Sequence, residues 1–169
     1  MSLHENRCVV LNARPTGVPG PEFFDIVTRP VARLEDGEFL VRNAYLSVDP
    51  AMRGWVNDAP NYSPPVPIGV VMRANAVGEV VESRHVDYPV GDTVSGTFGW
   101  QRFAVSDGGN VMRKVAPAEE NSLALGVLGV QGLTAYFGLL ELCTPKAGET
   151  VVVSTAAGSV GSCVGQIAK

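Results

Sequence analysis

The sequence predicts a mostly β domain followed by the opening strand, turn and helix of an α/β fold. Three observations carry this. Short apolar segments broken by glycine and proline fill the first two thirds of the chain, and the apolar period changes after residue 120. A β-branched run near the end then leads directly into a glycine turn and an apolar stripe of helical spacing.

The first strand begins in Val9-Val10-Leu11 and is ended by Pro15 and Gly17. Residues 38–48 form a longer strand. Phe39, Val41 and Tyr45 lie on one face and Leu40, Ala44, Leu46 and Val48 on the other, so both faces should be covered. Asp49-Pro50 stops it. Residues 55–67 carry Pro60, Asn61, Pro64 and Pro65 and make an irregular loop, because proline removes ladder donors. A third strand occupies residues 70–83, with Gly78 as a bulge or bend. Pro89-Val90-Gly91-Asp92 is a turn, and residues 93–105 read as a further strand pair with Val94, Phe98 and Trp100 on one face. Short strands at this spacing indicate a barrel or sandwich. The texture shifts near residues 117–121, dividing the chain into domains 1–120 and 121–169.

In the second domain Leu133, Phe137 and Leu140 sit at i, i+4 and i+7 with Tyr136 beside them, a helical stripe that Thr144-Pro145 ends. Lys146-Ala147-Gly148-Glu149 is a turn. Thr150-Val151-Val152-Val153 has the pattern of a strand buried on both faces of a parallel sheet. Val160, Val164, Ile167 and Ala168 then give the closing helix one apolar face.

Between that strand and that helix, Ala156-Ala157-Gly158-Ser159-Val160-Gly161 fits the dinucleotide fingerprint with alanine at its first glycine. Gly158 has no Cβ, so backbone can approach a pyrophosphate. Unpaired N–H groups at the helix start point at the anion, and the dipole favours negative charge there. Gly161 and Gly165 would let the helix pack closely on the strand. The alternative is a tight strand-to-helix turn without a ligand. No Lys-Ser or Lys-Thr pair follows the glycines, which excludes a P-loop. The residue that selects NAD or NADP is expected about 20 residues further on, beyond Lys169.

Composition excludes other classes. The 169 residues are 46% hydrophobic and 18% charged, enough for a core and unlike a disordered chain. Thirteen basic and 17 acidic residues give a net charge of −4 without a basic cluster, so nucleic acid is not an expected partner. No apolar run reaches a membrane span. The polar start Met1-Ser2-Leu3-His4-Glu5 does not read as a signal peptide. Cys8, Cys143 and Cys163, odd in number and far apart, point to free thiols and a cytoplasmic setting.

Four segments resemble one family, the zinc-independent medium-chain dehydrogenase/reductases, and within it the prostaglandin/leukotriene and curcumin reductases. They are Ser47-Val48-Asp49-Pro50-Ala51-Met52-Arg53-Gly54, Val80-Val81-Glu82-Ser83, the run of residues 129–140 from Gly129 to Leu140, and residues 153–169 around the glycine turn. The resemblance covers nearly the whole chain, in order. It implies a GroES-like β-barrel joined to the first, incomplete part of a Rossmann domain. It also implies NADPH as cofactor, hydride delivery to the β-carbon of an enone (an α,β-unsaturated aldehyde or ketone), and a homodimer at full length. By the same resemblance Ala157, Gly158, Ser159, Val160 and Gly161 would line the pyrophosphate, and Gly132 and Thr134 would lie near the nicotinamide. Tyr62 falls in the loop where some relatives place a tyrosine near the substrate; the alternative is a surface tyrosine. Ala51 stands where the family has tyrosine, which would widen the cleft. Ala74 replaces a usual glycine, and Val130-Gln131 a usual Met-Pro.

Zinc relatives carry a cysteine early in the barrel and then Gly-His-Glu. Here those positions fall within Ser47-Val48-Asp49-Pro50 and at Arg73-Ala74-Asn75, and no Cys-x-x-Cys pair exists for a structural zinc. His4 and His85 stand alone in polar surroundings, and Cys163 has no base nearby in sequence, so neither a metal nor a nucleophile is expected. Trp55, Phe98 and Trp100 line an apolar cleft or belong to the core. The expected activity is therefore zinc-independent double-bond reduction by NADPH. Quinone reduction is the enzymatic alternative, and a fragment that lacks a complete cofactor site is the non-enzymatic one.

Overall fold

The computed structural model describes residues 4–59 and 61–169. Met1, Ser2 and Leu3 of the polar start and the loop's Pro60 lie outside the described residues. The chain separates into two compact units, residues 1–121 and 122–169.

The first unit is built on two antiparallel sheets. Strands β1 (Glu5–Leu11) and β2 (Phe24–Pro30) form one, and β3 (Phe39–Leu46), β4 (Ala76–Ser83), β5 (Thr93–Gly96), β6 (Phe103–Ser106) and β7 (Val111–Val115) the other, in the order β6-β3-β4-β5-β7. β1 is also stitched to the segments that precede β4 and β6. Met72 N–H donates to the Val9 carbonyl at 2.9 Å, and Val9 N–H donates to the Trp100 carbonyl at 2.8 Å.

The alternation expected in β3 holds over its first half. Phe39 and Val41 enter one core with Val80, Val94 and Phe98, while Leu40 enters another with Val31, Leu34 and Phe103. All three β3 residues are fully buried, and each contributes about 1.5–3 kcal/mol of transfer free energy. The second half differs from expectation, with Tyr45, Leu46 and Val48 exposed. A register shift explains it. Asn43 pairs with Gly78 but Tyr45 with Val77, so Ala44 is the extra residue and the bulge lies on β3. Gly78 sits opposite: a Cβ there would meet the Arg42 carbonyl carbon and Asn43 Cα, both at 2.8 Å.

Residues 93–105 do not form a hairpin. β5 pairs with β4 and β7, and β6 pairs with β3 on the far edge. Alternation alone does not report a partner, and the intervening residues cross the sheet. Val94 and Phe98 share one core as expected, whereas Trp100 packs against Leu11 and Met72 in a second. β2, β7 and the short helix α1 (Met52–Trp55) were not expected from sequence, and β1 begins at Glu5 rather than Val9.

In the second unit helix α2 (Val130–Tyr136) continues as a π-helical segment over Phe137–Cys143, and α3 (Ser159–Ile167) packs on α2. The end falls where expected, with Thr144 in the left-handed region at φ 45°. The face does not. Leu133, Tyr136 and Phe137 are exposed, and the buried residues are Gly132, Ala135 and Leu139. Large residues drew the sequence reading, but small ones let a helix approach its neighbour. Residues 150–153 are not a strand. Val152 is 90% exposed, because a parallel strand needs hydrogen-bonded neighbours and no described residue supplies them.

Candidate functional site

The glycine turn is built as its residues require. Thr155 takes φ 52°, and its carbonyl accepts the Gly158 N–H at 2.8 Å. Gly158 is then the extended N-cap of α3, at φ −76° and ψ 169°, without a side-chain capping bond. The first-turn amides of Ser159, Val160 and Gly161 therefore meet no cap, and by helix geometry they have no partner within α3. Gly161 is buried against the turn: a Cβ there would fall 2.9 Å from Ala156 Cα. Ala157 and Ser159 are exposed and Val160 is half-buried. Gly165 has open space at its Cβ position, so it has no close-packing role.

Gly132 is buried because its Cβ position is taken by the backbone of Val127. It lines a cavity of about 380 Å³ with Cys163, Gln166 and Ile167 of α3. That cavity lies along the later part of α3, away from the glycine turn. Thr134 is exposed, and its hydroxyl donates to the Val130 carbonyl at 2.7 Å, one turn back.

Tyr62 belongs to the first unit, on a loop that folds back on α1. It is 79% exposed and lines an open depression of about 530 Å³ with Asp58, Asn61 and Ser63. The loop's two ends are held together: Val66 N–H donates to the Trp55 carbonyl at 2.8 Å. Asn61 Oδ1 accepts the Tyr62 N–H at 2.7 Å, and the Asn61 amide occupies the place a Cβ on Gly54 would take. Arg73 donates to the Ser63 hydroxyl and lies 5.3 Å over the Trp55 ring. The Trp55 indole N–H is buried and without a partner among the described residues.

The segment around Ser47 meets the segment around Asn75. Ser47 N–H donates to the Asn75 carbonyl at 2.8 Å, and the Ser47 hydroxyl accepts the Asn75 N–H at 3.1 Å and donates to Asp49 at 2.6 Å. Trp100 Nε1–H caps the junction on the Ser47 carbonyl at 3.0 Å. The segments expected from sequence at the zinc-ligand positions are thus adjacent, and they hold hydroxyl, carboxylate, amide and guanidinium groups. Among the described residues no three His, Cys, Asp or Glu gather in one place. No helix of the described residues is long and apolar enough to cross a membrane.

Sequence reasoning missed the arginines that secure the Tyr62 loop, Arg14 and Arg53. The available signal was a basic residue beside the turn Pro15-Thr16-Gly17 and another within Met52-Arg53-Gly54, which is part of α1.

The first unit is a mostly β domain, and the second carries a glycine turn that opens a helix. A family model described as the N-terminal domain of oxidoreductase matches residues 7–114. The NADPH-dependent curcumin reductase of Escherichia coli (strain K12) is 49% identical over 164 residues, covering 97% of this chain and 48% of the reductase. Prostaglandin reductase 1 of Sus scrofa is 42% identical over 156 residues, 90% of this chain and 45% of its own length. The crystal structure of CurA from Vibrio vulnificus in complex with NADPH superposes with a TM-score of 0.88 at 44% identity, covering 95% of this chain and 48% of that one. The chain belongs to the medium-chain dehydrogenase/reductase family, among its curcumin- and prostaglandin-reductase-like members. It spans about half the length of the curated relatives it matches.

Proposed function

We propose that this chain supplies the substrate-side barrel (residues 1–120) and the first part of the dinucleotide-binding domain (residues 121–169) of an NADPH-dependent reductase. Its reaction would reduce the carbon–carbon double bond of α,β-unsaturated aldehydes or ketones without zinc. The observation that carries this reading is the start of α3, where a tight glycine turn delivers a helix N-terminus that no side chain caps. An uncapped N-terminus of this kind suits a pyrophosphate, so the residues fit the cofactor. Ala157, Gly158, Ser159, Val160 and Gly161 would hold the phosphates through backbone N–H groups. Gly132 and Thr134 would lie toward the nicotinamide. When bound, NADPH supplies the hydride.

The chain's own groups do the rest. As hydride reaches the β-carbon, negative charge grows on the substrate carbonyl oxygen. The Tyr62 hydroxyl is the donor we assign to that oxygen, and losing such a donor costs a factor of about 100 or more in rate. Arg73, in the segment matched to the Gly-His-Glu of zinc relatives, bears a fixed positive charge beside Ser63 and Trp55, which would oppose a dication there. A cytoplasmic setting and a homodimer, with neither nucleic acid nor membrane as partner, complete the proposal.

Titration with NADPH and NADH, followed by nicotinamide fluorescence, tests it. Saturable binding that favours NADPH, with turnover of an enone such as curcumin, is the expected result. The competing reading is a barrel unable to hold a complete cofactor, and the unpaired run at residues 150–153 favours it. Binding of neither nucleotide would establish that reading and sink the first.

A further inference from the structure

We propose that Arg14 is a positioning residue, a brace whose guanidinium fixes the loop that carries Tyr62. Arg14 Nη1 donates to the Val56 carbonyl at 3.1 Å and to the Val66 carbonyl at 2.7 Å. These are the two ends of the loop. Both side chains are anchored in the core, Val56 at 2% and Val66 at 1% exposure. Tyr62 stands near the tip, where Asn61 Oδ1 accepts its N–H and Arg73 donates to the neighbouring Ser63, and the base sets where that tip stands. Arg53 returns the contact from α1. It donates to the Gly17 carbonyl at 2.8 Å, just beyond Arg14, and to the Asn57 side chain at the start of the loop. The turn bearing Arg14 and the loop bearing Tyr62 therefore hold each other by charged donors on carbonyl and amide oxygens, which are stronger than neutral bonds. The same two segments also meet through the second core, where Leu11, Met52, Val56 and Val66 pack together. Arg14 thus joins the barrel's core to a loop whose tip is in solvent, and a tip 1 Å out of place is enough to lose a reacting geometry.

The effect on catalysis rests on Tyr62 as the donor to the substrate carbonyl; the brace itself does not. Two arms of one experiment separate them. In the first, hydrogen exchange of the full chain is followed by mass spectrometry for the parent, Arg14→Met, which keeps the stem and removes the donors, and Arg14→Lys. Peptides covering residues 57–65 should exchange about tenfold faster in Arg14→Met, while peptides of β3 and β4 stay as in the parent. Arg14→Lys should fall between the two. If Arg14→Met fails to fold, Arg14→Lys alone decides, and unchanged loop exchange in whichever variant folds overturns the brace.

In the second arm, Arg14→Lys should lower kcat for enone about tenfold, the scale of one lost charged hydrogen bond, and leave the KM for NADPH within about twofold. In a Tyr62→Phe background the same substitution should add little, because the group it positions is gone. Effects that multiply would overturn the link to Tyr62. An absence of enone turnover in the parent would refute the proposed function and leave the first arm to decide the brace.

Discussion

Two glycines four residues apart on α3 should respond oppositely to the same substitution. At Gly161 an added Cβ would lie 2.9 Å from Ala156 Cα and 3.0 Å from the Thr155 carbonyl carbon, with the Thr155 oxygen closer still. Those atoms are backbone, so relief requires the turn and helix to separate by several tenths of an ångström. Overpacking of this kind costs about 1–3 kcal/mol. At Gly165 nothing lies within 4 Å of the added atom, and alanine in a helix interior gains about 0.5–1 kcal/mol over glycine. At 1.4 kcal/mol per tenfold, exchange of the α3 amides should become about five- to a hundredfold faster in Gly161→Ala and about two- to fivefold slower in Gly165→Ala. Exchange measured on both variants and the parent under identical conditions gives the answer directly. Changes of the same sign, or no change in Gly161→Ala, would refute the argument that Gly161 is selected for close approach. The cofactor reading would suffer with it, since that approach is what sets the amides of the first turn. In nucleotide titration Gly161→Ala should lose about tenfold or more in affinity, the scale of one charge-assisted hydrogen bond, and Gly165→Ala should bind as the parent does.

Phe39 is fully buried and stacked on Tyr88 with ring centroids 4.5 Å apart; Phe39→Ala should cost about 3–5 kcal/mol in urea unfolding, and a loss below about 1 kcal/mol would place it outside the core. The hydrogen bond from Arg113 holds the Glu119 carboxyl below the ordinary carboxylate range, against the opposing effect of desolvation. A depressed native pKa stabilises above the unfolded value and loses that contribution as pH falls through the native one. Glu119→Gln should therefore be less stable than the parent at neutral pH, the gap closing as pH drops below about 4; a gap independent of pH would contradict the pairing. Burial pushes the Cys8 thiol up, with Arg29 acting weakly in the other direction, whereas Cys143 is exposed. A thiol reagent at neutral pH should modify Cys143 first and Cys8 only on unfolding, and equal rates would show that β1 opens readily.

What the sequence revealed was what short segments decide for themselves. The burial of Phe39, Leu40 and Val41 on alternating faces follows from period and side-chain type alone, and so does the turn at Gly91, which takes φ 96°. The stop of the second-unit helix at Thr144 is equally local. Strand partners are a different matter. The sequence of residues 93–105 alternates well enough to suggest a hairpin, yet β5 and β6 lie on opposite sides of β3 and β4. The candidate site divides along the same line. Gly158 and Gly161 are readable because their constraint comes from a turn a few residues long. Arg14 is not, because its acceptors lie 42 and 52 residues away.

The contrast is sharpest where the two kinds of constraint adjoin. Residues 150–153 have the composition of a buried parallel strand and do not form one, while the turn that follows immediately is complete. The reason is where each finds its hydrogen-bond partners. The turn closes on itself through Gly158 N–H to the Thr155 carbonyl, and α3 begins from it with Ser162 N–H on the Gly158 carbonyl, each at 2.8 Å. A parallel strand has no internal bonds and takes every partner from neighbouring strands. Supplying those strands should therefore order residues 150–153 and bury Val152 without altering the turn. The geometry at the start of α3 is set by its own sequence, through the Thr155 carbonyl and the Gly158 cap.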